Sequence, residues 1–315
     1  MNRVILSGGL GNQLFQVAAG MYFFGNEQTT LVESLGKPHG DKKNLSEMKL
    51  LNLPETISLE THSRQFWTPL IAKVNNYQLS LFLTDSSRSR LLSKLLLPVS
   101  NFLITFYFNH KSKVKYCRQI SNTDESKKVI QNVISGYFQN HEYASTPEVK
   151  FRICELLAIE KSQELKQLIE QAKQMSPLVI QIRLGDYMRE DDFGIPGTEY
   201  YTKAIEFILE RQKHQNIWIF SNDIQMARKI LPKEYNDKYK FIENLLDSPV
   251  ETLEAMRHGV SYILSNSTYG WWGAFLSHQE SPLVVTPSPW FRSRNSPKRL
   301  IPDSWTKIPV GEYLC

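Results

Sequence analysis

The chain has 315 residues, 41% hydrophobic and 22% charged, an ordinary globular composition long enough for two domains. Its 37 Lys and Arg against 32 Asp and Glu leave a formal charge of +5, which suits an anionic ligand or membrane surface but falls short of the dense basic patches of a nucleic-acid binder. Cys117, Cys154 and Cys315 are widely separated and form no C-x-x-C pair, which argues against a zinc or disulfide framework and for a reducing, cytosolic compartment.

The first element is a strand-like run at residues 4–6, too short for a signal peptide or a spanning helix. It leads into Ser7-Gly8-Gly9-Leu10-Gly11-Asn12-Gln13-Leu14-Phe15-Gln16 and a helical pattern over about 12–24. A glycine-rich turn after a first strand invites a phosphate. Leu14, however, stands where a dinucleotide fingerprint needs its third glycine, and the Gly-Lys-Ser/Thr of a P-loop is absent.

From about 35 to 150 the elements are irregular. Residues 91–108 read LLSKLLLPVSNFLITFYF, interrupted by Lys94, Pro98 and Asn101 and flanked by Arg88, Arg90, Lys111, Lys113 and Lys115. A core helix plus a strand is the plainer reading, and contact with an anionic membrane is the alternative. A polar amphipathic helix follows over 160–174, with Leu165, Leu168, Ile169 and Ala172 as its buried stripe. The domain boundary is set here, giving domains 1–155 and 156–315.

In the second half, strand patterns at 178–182, 216–220, 241–242, 261–264 and 283–286 alternate with helical patterns at 201–212, 224–231 and 250–258. That alternation means βαβ units and a parallel sheet, which places ligands at the carboxyl ends of the strands. Three of those ends are polar. At the first, Arg183 can clamp a phosphate, while Asp186 can pair with it, accept from a sugar hydroxyl or act as a base; a surface Arg–Asp pair is the bland alternative. At the second, Asn222 and Asp223 either cap the next helix or read a nucleotide base or ribose. At the third, Ser267 and Thr268 open a helix whose amides and dipole favour a phosphate, against an N-cap plus core packing. Trp271 and Trp272 point about 100° apart on that helix, so at most one should face the core fully. No Asp-x-Asp occurs, and Glu190-Asp191-Asp192 reads as a solvated loop, so no metal-bridged donor site is expected.

Taken in order, these segments resemble the inverting α-1,2-fucosyltransferases of bacterial surface-glycan synthesis. The resemblance runs through Gly8–Gln16, then Gln181-Ile182-Arg183-Leu184-Gly185-Asp186-Tyr187, which is similar to His-x-Arg-Arg-Gly-Asp-Tyr, then Ser221-Asn222-Asp223. It closes with Asn266-Ser267-Thr268-Tyr269-Gly270-Trp271-Trp272-Gly273-Ala274, similar to Asn-Ser-x-Phe-Ser-Trp-Trp-x-Ala, and with Pro287-x-Pro289-Trp290-Phe291. It implies an α/β GT-B architecture, two Rossmann-like domains whose parallel sheets face a central cleft, with the acceptor on the N-terminal side and the GDP-sugar mainly on the C-terminal domain. It also implies GDP-fucose as donor, no metal or other cofactor, and transfer to the 2-OH of a galactoside on a glycan or lipid-linked oligosaccharide, at the inner face of the plasma membrane.

On this resemblance Arg183 holds the diphosphate, Ser267 and Thr268 add phosphate contacts, and Asn222 and Asp223 are candidates for the base and ribose. Gly9 and Gly11 would let the first turn approach the diphosphate–sugar end, and Asn12 would reach the reacting centre. Asp186 is the candidate base, with a dissociative, weakly assisted mechanism as the alternative. The chain departs from the pattern at Gln181, Leu184, Tyr269 and Gly270. Gln181 cannot serve as an acid or base, and Leu184 should remove a cation from the neighbourhood of the diphosphate. Those losses raise two alternatives: another donor such as GDP-colitose, or a non-catalytic nucleotide-sugar or glycan binder.

Overall fold

A computed structural model of the chain describes residues 2–33, 47–60, 116–118, 133–185, 187, 193–243, 245, 247–293 and 296–314. The apolar segment 91–108, the acidic run 190–192 and Asp186 lie outside the described residues. The chain forms two compact units: Met1–Ala158 with Pro297–Leu300, and Ile159–Ser296 with Ile301–Cys315.

The first unit holds β1 (Asn2–Ile5), α1 (Leu10–Phe24), β2 (Thr29–Val32), β3 (Ile57–Glu60), β4 (Tyr116–Arg118), β5 (Val133–Ser135), α2 (His141–Ser145) and α3 (Pro147–Leu156). Its strands lie in the order β3-β2-β1-β5-β4 and every pairing is parallel. The β2 sequence, Thr-Thr-Leu-Val, is buried throughout, as a strand covered on both faces must be. The return of the chain at 297–300 is tied down where His141 N–H donates to Arg299 O at 2.8 Å and Arg299 pairs with Glu142.

The second unit holds α4 (Gln163–Met175), β6 (Leu178–Ile182), β7 (Ile195–Pro196), α5 (Thr198–Arg211), β8 (Ile217–Ser221), α6 (Ile224–Ile230), β9 (Tyr239–Phe241), α7 (Pro249–Met256), β10 (Ser261–Leu264), α8 (Thr268–Phe275), β11 (Leu283–Ser288), β12 (Thr306–Pro309) and β13 (Tyr313–Leu314). The main sheet runs β12-β11-β10-β6-β8-β9, all parallel, and β7 with β13 forms a small antiparallel ribbon. Numbered by appearance within this sheet, the order is 3-2-1-4-5-6, the doubly wound order of a Rossmann fold, and the direction of winding reverses between β6 and β10.

Local chemistry fixes the element ends. Helix α4 begins at Gln163 rather than 160, because Ser162 Oγ accepts from Leu165 N–H at 3.2 Å. It stops where Ser176 adopts a left-handed conformation, φ 45°. The tryptophan pair departs from expectation, since Trp271 and Trp272 are both 0% exposed. Helix α8 is covered on more than one side: Trp271 stacks on Phe275 at 4.4 Å and packs near Trp305 at 5.5 Å, and α8 also packs on α7 and β10. A helix buried all round has no solvent face for either ring.

Candidate functional site

The winding reversal in the second unit brings the carboxyl ends of β6 and β10 side by side, with Leu264 paired to Gln181. Parallel strands diverging from such a point leave a crevice where α/β proteins bind ligands. The β6 end carries Arg183 and the β10 end carries Ser265, Asn266, Ser267 and Thr268. The turn after β6 is held from both sides. Arg183 N–H donates to Ser265 Oγ at 3.0 Å, and Leu184 N–H donates to Asn222 Oδ1 at 2.8 Å. Ser265 N–H in turn donates to Gln181 O at 2.9 Å. The Arg183 side chain is half-buried, its guanidinium 5.9 Å from the centre of the Tyr187 ring, and Tyr187 stacks on Phe193 at 4.7 Å. Asn266 Nδ2 donates to the carbonyls of Phe193 and Gly194, both at 2.9 Å, which ties that aromatic segment to the β10 end.

The structure thus gathers Arg183, Ser267, Thr268, Asn222 and Asp223 at the ends of three adjacent strands. Ser267 is the buried N-cap residue of α8, its carbonyl accepting from Trp271 N–H at 3.0 Å, and Thr268 is half-buried in the first turn. Asp223 caps α6, accepting from Met226 N–H at 2.9 Å, and Asn222 commits its Oδ1 to Leu184. The two departures in the β6 motif also gain a place. Leu184 is 0% exposed and packs in the hydrophobic core of the unit. Gln181 is 4% exposed, and its Oε1 accepts from Ser265 Oγ at 3.1 Å.

The first unit has its own polar strand ends, where β1 and β5 lie adjacent. Gln16 binds both: its Oε1 accepts from Ser7 N–H at 2.9 Å, and its Nε2 donates to Ser7 Oγ at 2.8 Å and to Gly136 O at 2.9 Å. Gln13 Nε2 donates to Gly8 O at 2.8 Å, and Asn12 Oδ1 accepts from Gln139 Nε2 at 3.0 Å. The glycines of this turn have separate reasons. Gly8 has φ +76°, a conformation side chains rarely adopt, whereas a Cβ at Gly9 would meet only open space. Gly11 is buried within α1. Glu47, which the sequence reading passed over, places its Oε2 2.9 Å from Leu10 N, at the start of α1. A carboxylate there already satisfies the Leu10 amide, and its charge disfavours a diphosphate at the same amide.

Away from these strand ends, the second unit buries an ionic cluster. Glu254 bonds Arg257 at 2.6 Å and Lys161 at 2.9 Å, with His258 and His278 Nε2 at 3.5 and 3.6 Å. The three groups Glu254, His258 and His278 are spaced like metal ligands. Both carboxylate oxygens nevertheless already face cations, so a divalent ion would have to displace Lys161 and lie beside Arg257. Among the described residues, no helix is long and apolar enough to cross a membrane.

Similarity to known proteins bears on this arrangement. The model of glycosyl transferase family 11 matches residues 1–299. The chain is 32% identical to the O-antigen biosynthesis glycosyltransferase WbnK of Escherichia coli, over 96% of this chain and 99% of the relative. It is 24% identical to an alpha-1,2-colitosyltransferase of Escherichia coli, over 96% and 97% respectively. A galactoside 2-alpha-L-fucosyltransferase of Caenorhabditis elegans is 26% identical over 47% of this chain and 44% of that protein.

Proposed function

The chain belongs to glycosyl transferase family 11, its match running through both units, and we propose that it is an inverting, metal-independent transferase moving L-fucose from GDP-fucose to the 2-OH of a galactoside in O-antigen or other surface-glycan synthesis. The observation that carries the reading is the placement of Arg183 beside Ser267 and Thr268, on adjacent strand ends at the winding reversal of a Rossmann sheet. A guanidinium from one strand end and a helix start at the next are together suited to a diphosphate leaving group. In this reading the acceptor hydroxyl attacks the anomeric carbon from the face opposite GDP. The bond to the diphosphate breaks as the glycosidic bond forms, and the hydroxyl proton passes to a base, for which Asp186 is proposed. Arg183 stabilises the charge that develops on the departing phosphate. Asn222 and Asp223 are the proposed contacts to base or ribose. Gly9, Gly11 and Asn12 are assigned to the sugar and acceptor rather than to phosphate, in keeping with Glu47 at the start of α1.

Colitose is the second donor sugar to consider, because a relative matching 96% of the chain is named a colitosyltransferase. The non-catalytic reading loses its motive. The family match and the 32% identity to a glycosyltransferase over nearly the whole chain favour an enzyme, and Gln181 and Leu184 are both buried, with Gln181 hydrogen-bonded to Ser265. The acceptor, a glycan or lipid-linked oligosaccharide, is proposed to be met at the inner membrane face. Calorimetric titration with GDP, UDP and dTDP in the presence of EDTA tests the donor assignment. GDP is expected to bind tightest; preference for UDP, or binding abolished by the chelator, would contradict it.

A further inference from the structure

Gly270 is the third residue of α8, where glycine costs helix stability and alanine would be favoured. A Cβ at this position would stand 2.4 Å from Gln181 Oε1 and 2.9 Å from both Gln181 Cδ and Cγ. Glycine therefore lets the Gln181 side chain lie against the helix. That placement puts Gln181 Oε1 where it accepts the Ser265 hydroxyl proton at 3.1 Å. A hydroxyl has a single proton. Once that proton is committed to Gln181, a lone pair of Ser265 Oγ is left aimed at Arg183 N–H, 3.0 Å away. The relay runs from α8, through β6 and β10, to the backbone from which Arg183 projects.

We infer that Gln181 is a positioning residue for Arg183 and that Gly270 is its required partner. The inference rests on the reading of Arg183 as the diphosphate ligand. Positions 181 and 270 are coupled because the Gln181 side chain fills the space that a Cβ at residue 270 would need.

The test is a double-mutant cycle on the full chain, with GDP as probe. GDP affinity is measured by calorimetry well below each melting midpoint, and the midpoints are recorded separately. Gly270→Ala alone is expected to lower the midpoint and weaken GDP binding about tenfold. In a Gln181→Ala background the same substitution is expected to leave GDP affinity unchanged and raise the midpoint, because the clash is gone and helix propensity remains. An identical effect in both backgrounds, or wild-type affinity in Gly270→Ala, would overturn the coupling. Gln181→Met keeps the volume and removes the acceptor, and it is expected to weaken GDP binding severalfold in folded protein. Wild-type affinity there would reduce Gln181 to a space-filler and overturn its positioning role. Arg183→Ala separates the two levels. If it binds GDP as wild type does, the diphosphate reading fails, while the reversal in midpoint still decides the pairing of 181 with 270.

Discussion

Arg183 carries the largest share of the proposed chemistry, and its position explains why. The guanidinium projects from a turn whose two leading amides are satisfied by Ser265 and Asn222, so its anchor point is fixed before any ligand arrives. A guanidinium carried on a fixed backbone is suited to stabilising a developing diphosphate. Arg183→Ala is expected to lower kcat/KM for transfer by a factor of about 10²–10³, roughly 3 kcal/mol. Arg183→Lys should recover only part, since an ammonium lacks the planar fork that binds two oxygens. A rate unchanged in Arg183→Ala would remove the residue from the mechanism. The strand-end placement of Arg183, Ser267 and Thr268 was legible in the sequence because each follows an apolar strand pattern. Gln181, Ser265 and Glu47 were not. Gln181 meets Ser265 across 84 residues, and Glu47 meets Leu10 across 37, so no local pattern announces either contact.

Elements were legible where burial imposes a period. The alternation of apolar strands with 3.6-period helices identified the second sheet, whereas β12, with polar Thr306 and Lys307 and an edge proline, carries no apolar signal. The Trp271–Trp272 pair misled for the opposite reason: a helix covered on several sides has no polar face to read. In the first unit, α1 approaches β1 so closely that a Cβ at Gly20 would lie 2.6 Å from Val4 Cγ2. Gly20→Ala should therefore destabilise by about 1–3 kcal/mol in denaturant unfolding despite its better helix propensity, and Val4→Ala should relieve the loss. A stabilised Gly20→Ala would contradict that packing. In the second unit, α7 is anchored through Glu254. Burial alone would raise its pKa. The nearby His258 and His278 rings, the Arg257 charge and the Lys161 contact outweigh burial and hold the carboxyl well below the usual carboxylate range. A depressed folded pKa gives stability that is present above the unfolded value and is lost as pH falls below it. Glu254→Gln should thus cost about 3 kcal/mol at pH 7, with the gap to wild type narrowing below about pH 4.3. His258, held neutral by burial, should add its own loss in wild type as pH falls below its ordinary value of 6.5. A gap that failed to narrow below about pH 4.3 would refute the assignment to Glu254.

For the whole molecule, two parallel sheets in two units account for the length and for the spread of motifs along the chain. The two units divide between Ala158 and Ile159, in the connection from α3 to the Ser162-capped helix α4. The return of Pro297–Leu300 to the first unit had no signal, since a four-residue segment with a buried Leu300, tied by the His141–Arg299 main-chain hydrogen bond and the Arg299–Glu142 ion pair, is too short to carry a period. Membership of glycosyl transferase family 11 fixes the class of reaction, and the strand ends of the second unit supply groups suited to a nucleotide-sugar donor. The central claim is that this chain moves a 6-deoxyhexose from GDP to a galactoside 2-OH. Its most direct test is to incubate the purified protein, in EDTA, with a galactoside and either GDP-fucose or GDP-colitose, and to assign the product linkage by NMR. The account expects an α-1,2-linked product from one of these donors, with release of GDP. No transfer from either donor, transfer only when metal is restored, or a product linked elsewhere than the 2-OH would contradict it.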